Sequence, residues 1–196
     1  YILLEKDKIC NGVTARTTAK ITAGHSFCYQ KILSSQGKSI AQGYYLANMQ
    51  ALKEYFSLAQ NIDCDFNVRD NYVYSFDAKK IEKELDALQK IGAQSEFSNE
   101  LELPFNTAGA VKLKNQASFH PLKFLSQISK NLNIFEHTKV REMIGNIAVT
   151  EKGKIKAKQV VVATHFPFIN KHGKYFLKLY QHRSYVIALE GAPHTE

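Results

Sequence analysis

The sequence has no apolar run approaching the roughly 20 residues that cross a bilayer as a helix. Nor does it open with a charged stretch leading into a hydrophobic run and a cleavage site. The expectation is a cytoplasmic protein with no membrane span. Its three cysteines, Cys10, Cys28 and Cys64, form no CxxC pair and have no histidine at a matching spacing. That argues against a disulfide framework and against a zinc site, so no metal is expected. Internal repeats and low-complexity segments are also missing.

What is present is ordinary for a globular chain: 196 residues, 44% hydrophobic and 22% charged. This is enough to bury a core in one large domain or two small ones. The formal charge of +8 raises nucleic-acid binding, because clustered Lys and Arg gain affinity by releasing counterions from phosphates. Here the cations are dispersed. The densest set, Lys152, Lys154, Lys156 and Lys158, alternates as a solvated strand face does. No nucleic-acid partner is expected.

Periodicity gives the elements. Residues 1–4, Tyr-Ile-Leu-Leu, read as a buried strand ending on Glu5. Residues 11–26 are small and polar and predict an extended loop with a short helical piece. Ile40, Tyr44, Ala47, Ala51, Tyr55 and Leu58 recur at three- and four-residue intervals and place a helix over 39–60. Residues 67–69 and 72–76 predict a hairpin turning at Asp70-Asn71, since both side chains tolerate positive φ. Asp77 caps a helix carrying Ile81, Leu85 and Leu88, which Gly92 ends. Strands over 94–101 and 108–113 lead to a helix opened by Pro121, with Leu125, Ile128 and Leu132 as its stripe.

The last third is mostly strand: 133–136, 139–144, 147–150, 155–157 and 159–164, then 175–180 and 185–190. Within 159–164, Val160-Val161-Val162-Ala163 does not alternate, which predicts a strand covered on both faces. The fold class is α/β together with α+β.

Chemistry enters at Glu5. An acid at the end of a strand in a dinucleotide fold accepts hydrogen bonds from ribose hydroxyls, although a strand-terminal Glu is also an ordinary solvated residue. The stretch 12–25 (Gly-Val-Thr-Ala-Arg-Thr-Thr-Ala-Lys-Ile-Thr-Ala-Gly-His) combines small residues, hydroxyls and two cations. Such a set suits a pyrophosphate. It also suits a Thr-rich surface turn.

The pattern of Glu5 followed by G-x-T-x-R-T-T-A-K-I-T resembles the FAD-binding segment of the D-amino-acid oxidase and glycine oxidase superfamily. It most resembles the bacterial branch whose members often carry a Rieske iron–sulfur domain. Further pieces follow in order: Asn115-Gln116-Ala117-Ser118-Phe119-His120-Pro121 ahead of a helix, then Val140, then Val161-Val162-Ala163-Thr164-His165. The resemblance covers essentially the whole chain.

It implies an FAD cofactor held by named positions. Glu5 would meet the ribose and Lys6 the region of the adenine. Arg16, Thr17 and Thr18 would meet the pyrophosphate, and Lys20, Ile21 and Thr22 the flavin ring. Val140 would offer its backbone to the adenine, and Ala163 and Thr164 would end a parallel strand on the phosphate side.

The implied architecture is an incomplete Rossmann-like FAD-binding domain from 1–26 and 133–167, with a mixed-sheet substrate-binding domain from 27–132 and 168–196. The family's GxGxxG turn would precede Tyr1 and its closing Gly-rich segment would follow Glu196, so an internal fragment is expected. FAD retention by the fragment alone is then open.

The implied activity is oxidation of the C–N bond of an amino acid or related amine by hydride transfer to flavin, with a Rieske module as a partner in the full-length protein. The alternative is a catalytically inactive fragment that acts only as a binding module. Hydride transfer depends on orientation and cofactor electronics more than on a protein acid or base, so the catalytic residue stays unassigned. His25, Arg183 and Tyr185 are candidates, with His165 beside them, and each reads equally as a structural or solvated residue.

Overall fold

The computed structural model of the chain describes residues 1–166, 168, 174–185 and 190. The elements in order are β1 (Leu3–Leu4), a 3₁₀ turn (Val13–Arg16), β2 (Lys20–Ile21), α1 (Tyr29–Gln36), α2 (Lys38–Ala59), β3 (Asn67–Tyr74), α3 (Ala78–Lys90) and β4 (Glu96–Ser98). They continue with β5 (Ala110–Ser118), α4 (Pro121–Ile128), β6 (Ile134–Phe135), β7 (Val140–Ile144), β8 (Ile147–Thr150), β9 (Gly153–Lys156) and a short helical turn, α5 (Tyr175–Lys178). This is the expected mixture of α/β and α+β. No helix among the described residues is long and apolar enough to cross a membrane. The three cysteines are free thiols.

Two compact units make up the chain, one of Tyr1–Gly12 with Asn131–Pro193 and one built on Val13–Lys130. In the second unit β5 is the central strand. It pairs antiparallel with β3 along one edge and, along the other, with β4 near its start and β2 near its end. On that second edge β4 stops opposite Lys112 and β2 begins opposite Ala117, so residues 113–116 face no described strand.

The helices form where periodicity and caps agree. In α3 the Asp77 carboxylate accepts the Lys79 N–H at 3.0 Å, and Ile81, Ala87 and Leu88 turn inward. Gly92 at φ +77° takes the left-handed residue that closes the helix. His120 caps α4 by accepting the Lys123 N–H on Nδ1 at 3.3 Å, with Pro121 behind it. The core gathers Tyr29, Ala41, Ile81, Leu88, Ile91 and Val111. Each large apolar side chain buried there contributes roughly 1.5–3 kcal/mol.

In the first unit β1 and β6 pair in parallel, Leu3 opposite Ile134 and Leu4 opposite Phe135. The ladder continues past the strands: the Glu5 N–H donates to Phe135 O at 3.0 Å and the Thr138 N–H donates to Glu5 O at 2.8 Å. An antiparallel meander, β7-β8-β9, follows.

Three expectations from the pattern are corrected. Residues 67–76 are not a hairpin turning at Asp70-Asn71. Instead, β3 runs through that pair, and β5 carries the irregularity: Leu113 pairs with Asn71 and Gln116 with Arg69, so Lys114 and Asn115 together oppose Asp70. Asn115, at φ +57°, adopts the left-handed conformation, and the Asp70 side chain accepts its N–H at 3.2 Å. A bulge has consumed the residues that read as a turn.

Residues 159–164 form no strand, and Val161 is 87% exposed. An apolar run becomes a strand only where neighbours accept its backbone, and no described strand does so here. Residues 175–178 are helical, not extended, closed by the Leu179 N–H donating to Tyr175 O at 2.8 Å. Helix α1 covers residues to which the pattern assigns no element, since it buries only Tyr29 and so shows no stripe. The expected strand over 185–190 falls largely outside the described residues.

Candidate functional site

The stretch that carries hydroxyls and cations lies in the second unit and is tied to the sheet point by point. Thr17 Oγ1 accepts the Ala19 N–H at 3.1 Å. Ala19 sits at φ +51° while buried, a conformation that costs a non-glycine residue about 1 kcal/mol or more. Its carbonyl accepts the Phe119 N–H at 3.3 Å. Lys20 then pairs with Ser118 and Ile21 with Ala117. Thr22 Oγ1 accepts the Gly24 N–H at 2.9 Å.

Ala23 is wholly buried. Its N–H donates to Gln116 Oε1 at 2.8 Å, and its carbonyl accepts the Tyr29 hydroxyl at 2.7 Å. Gly24 passes so close to β3 and β5 that a Cβ would lie 2.5 Å from Asn71 Nδ2 and 3.0 Å from Leu113 Cδ1. Arg16, Thr17, Thr18 and Lys20 are exposed, while Ile21 and Thr22 are half-buried. The sharp turn at Ala19 thus leaves a guanidinium and two hydroxyls on a solvent-facing segment joined to a fixed one.

Behind this segment stands Glu84. Its carboxylate is buried, with Oε1 accepting the Tyr29 N–H and Oε2 the Gln30 N–H, both at 2.9 Å. These donors are the first free N–H groups of α1, so the acid caps a helix to which it does not belong. Burial pushes its carboxyl up, and the two N–H bonds oppose that shift. Burial also pushes the Tyr29 phenol far above its ordinary range, so Tyr29 acts as a hydroxyl donor.

In the first unit Glu5 stands at the carboxyl end of β1, half-buried, with Oε1 accepting the Asp7 N–H at 2.9 Å. Lys6 is exposed and lies 3.5 Å from Asp7. Val140 opens β7 and pairs with Thr150. Ala163, Thr164 and His165 are exposed, and Thr164 Oγ1 donates to Phe166 O at 3.0 Å. Arg183 and Tyr185 are exposed as well.

His25, in the second unit, has Nε2 3.4 Å from Asn48 Oδ1. The structure therefore gathers Arg16, Thr17, Thr18, Lys20, Ile21 and Thr22 on one segment, and sets Glu5 and Val140 on a second frame. No cluster of three or more potential metal ligands occurs among the described residues.

The stretch of the β5 edge that faces no described strand opens into a cleft of about 840 Å³ walled by α2 and α3, with Tyr45, Met49, Leu85 and Gln89 among its lining. Sequence reasoning passed over Tyr29, Glu84 and the side-chain role of Gln116. Only Glu84 carried a usable signal, since it occupies the apolar stripe of α3 between Ile81 and Leu88, where a carboxylate needs partners.

No family model matches the chain. Over 203 aligned residues it is 31% identical to the putative Rieske 2Fe-2S iron–sulfur protein YhfW of Bacillus subtilis, across 96% of this chain and 40% of that protein. The chain thus spans about two fifths of the curated relative it matches.

Among solved structures it is similar to glycine oxidase from Geobacillus kaustophilus, with a TM-score of 0.58 and 18% identity over 82% of this chain and 47% of that one. L-amino acid deaminase from Proteus vulgaris gives 0.57 and 16%, over 83% and 41%. L-proline dehydrogenase from P. horikoshii gives 0.55 and 14%, over 78% and 42%. At these identities the likeness is one of fold, and it is the fold that the motif resemblance implied.

Proposed function

We propose that this chain is part of an FAD-dependent oxidoreductase that oxidises the C–N bond of an amino acid or related amine. One observation carries the reading. The two stretches on which the resemblance rests, 12–25 and 115–121, lie far apart in sequence yet are neighbours, joined by β2 on β5 and by Gln116 reaching Ala23 across 93 residues. The shared fold of three amino-acid oxidoreductases supports it.

The donor set fits the cofactor. Glu5 supplies carboxylate acceptors suited to ribose hydroxyls at a strand's carboxyl end, where ligands of open α/β sheets bind. Lys6 and the Val140 backbone would serve the adenine, and Arg16, Thr17 and Thr18 supply charge-assisted donors for a pyrophosphate. Lys20, Ile21 and Thr22 form the segment assigned to the flavin ring, and Ala163 and Thr164 the one assigned to the phosphate side.

Bound FAD would supply the hydride acceptor for the substrate carbon. The chain's contribution is to hold and orient, which is where protein catalysis lies in such chemistry. Arg183 would clamp a substrate carboxylate bidentately, with His25 and Tyr185 as further substrate-facing candidates. Residues 1–26 and 133–167 would form the cofactor part, and 27–132 and 168–196 the substrate part. The Rieske relative suggests a 2Fe–2S module as electron acceptor in the full-length protein.

The test is flavin released from the full-length protein, because a 2Fe–2S module would itself colour the protein. After gel filtration, acid denaturation should free a yellow, fluorescent flavin. A protein that releases none, even when FAD is added before filtration, would sink the reading and leave the inactive binding module. Glu5→Ala should weaken FAD by about 1–3 kcal/mol, the loss of charged hydrogen bonds; unchanged retention would remove Glu5 from the ribose.

A further inference from the structure

We infer that Gln116 and Tyr29 are positioning residues that hold residues 20–22 in place through the backbone of Ala23. What the hold serves rests on the flavin reading above.

Little backbone pairing is available to hold this segment. Strand β2 is two residues long, and a pairing that short is not stable by itself. Something else must fix the stretch, and the structure supplies side chains. Both peptide groups of Ala23 are buried, and both are satisfied by side chains: Gln116 Oε1 on β5, 93 residues on, at 2.8 Å, and Tyr29 Oη at the start of α1, six residues on, at 2.7 Å. Each of these partners is itself pinned.

Gln116 is 3% exposed and its Nε2 donates to Lys114 O at 2.8 Å, which fixes which way the amide faces. Tyr29 is 1% exposed, and its own N–H is held by Glu84 on α3. The clamp therefore runs from α3 through α1 to Ala23 and on to β5. On the far side, Asn71 Nδ2 donates to Gly24 O at 3.4 Å, and a Cβ on Gly24 would force the ends of the Asn71 and Leu113 side chains to shift. Residue 23 is thus fixed from both peptide groups and residue 24 by contact. Thr22, Ile21 and Lys20 inherit that position because a peptide unit is planar and the chain between them has few soft torsions.

Three variants of the full-length protein decide it. Tyr29→Phe removes only the hydroxyl, and Gln116→Leu removes the acceptor at similar volume. Leu88→Ala weakens the same core without touching Ala23. Amide hydrogen exchange of residues 22–24 should rise about tenfold in the first two and stay unchanged in the third, compared at conditions of equal global stability. Unchanged exchange in both Tyr29→Phe and Gln116→Leu, or an equal rise in Leu88→Ala, overturns the assignment.

The second readout is the visible circular dichroism of bound FAD, which reports the surroundings of the ring. It should change in Tyr29→Phe and Gln116→Leu and not in Leu88→Ala. Raised exchange with unchanged dichroism would overturn the claim that the clamp serves the cofactor. If the unmodified protein takes up no FAD while exchange responds as expected, the functional reading fails and the clamp stands.

Discussion

The unit built on Val13–Lys130 closes Tyr29, Ile81, Leu88 and Ile91 to 2% exposure or less, whereas in the unit of Tyr1–Gly12 and Asn131–Pro193 the buried described residues are Thr138, Ala148 and Thr150. One is held by large side chains packed between helices and a sheet. The other is held by ladders of backbone hydrogen bonds through Leu3, Glu5, His137 and Thr138, each worth about 0.5–1.5 kcal/mol net. The difference bears on the candidate site. Positions assigned to the flavin end rest on a packed frame that resists displacement, and those assigned to the adenosine end rest on paired backbone with little behind it.

The sharpest way to break this contrast is to weaken the packed unit. Leu88→Ala should cost about 2–5 kcal/mol in equilibrium urea unfolding. Glu84→Ala should follow closely at roughly 2–4 kcal/mol, because it strands two N–H groups of α1, one buried and one part-buried. A loss under about 1 kcal/mol would mean that water reaches that helix end. Asp77→Ala, which removes the α3 cap, should cost about 1 kcal/mol, read as a small drop in thermal midpoint.

Next comes a pH effect. The Lys112 ammonium, 2.9 Å away, holds the Asp70 carboxyl below its usual range. A carboxyl lowered on folding stabilises the protein above the ordinary carboxylate value of about 4 and loses that contribution as pH falls through the lowered value. The stability gap between the unmodified protein and Asp70→Asn should therefore narrow on acidification. A gap that is constant with pH would show that the ion pair contributes nothing. Glu84 runs the other way: raised by burial, its contribution is largest at low pH and fades as pH rises through the raised value. The smallest effect is expected at Val161→Ala, within about 0.5 kcal/mol, since that side chain is already in solvent.

Local rules reached as far as local causes did. Helices α2, α3 and α4 were legible because three- and four-residue apolar spacing, Asp77, Gly92 and Pro121 all agree. The hairpin of β8 and β9 was legible as the strands over 147–150 and 155–157. Where a partner decides the outcome, the pattern misled. Asp70-Asn71 has the composition of a turn, and a bulge on β5 carried the chain straight through it. Val160-Val161-Val162-Ala163 has the composition of a covered strand, yet no described strand covers it. Helix α1 depends on a carboxylate from α3, a dependence that no window of sequence contains. In the candidate site, the residue types of 16–22 and 115–121 were readable, but their adjacency and the bonds at Ala23 were not.

On the edge of β5 away from β3, the four positions that face no described strand, 113–116, carry one further consequence. A bare strand edge invites another chain to add to it, which is how folded proteins begin to aggregate. Here an invading strand would find β4 at one end and β2 at the other, and could register over only four residues. It would also displace Lys114 from its ion pair with Glu96 at 2.6 Å. A gap bounded in this way offers too short a template for an added strand to propagate along.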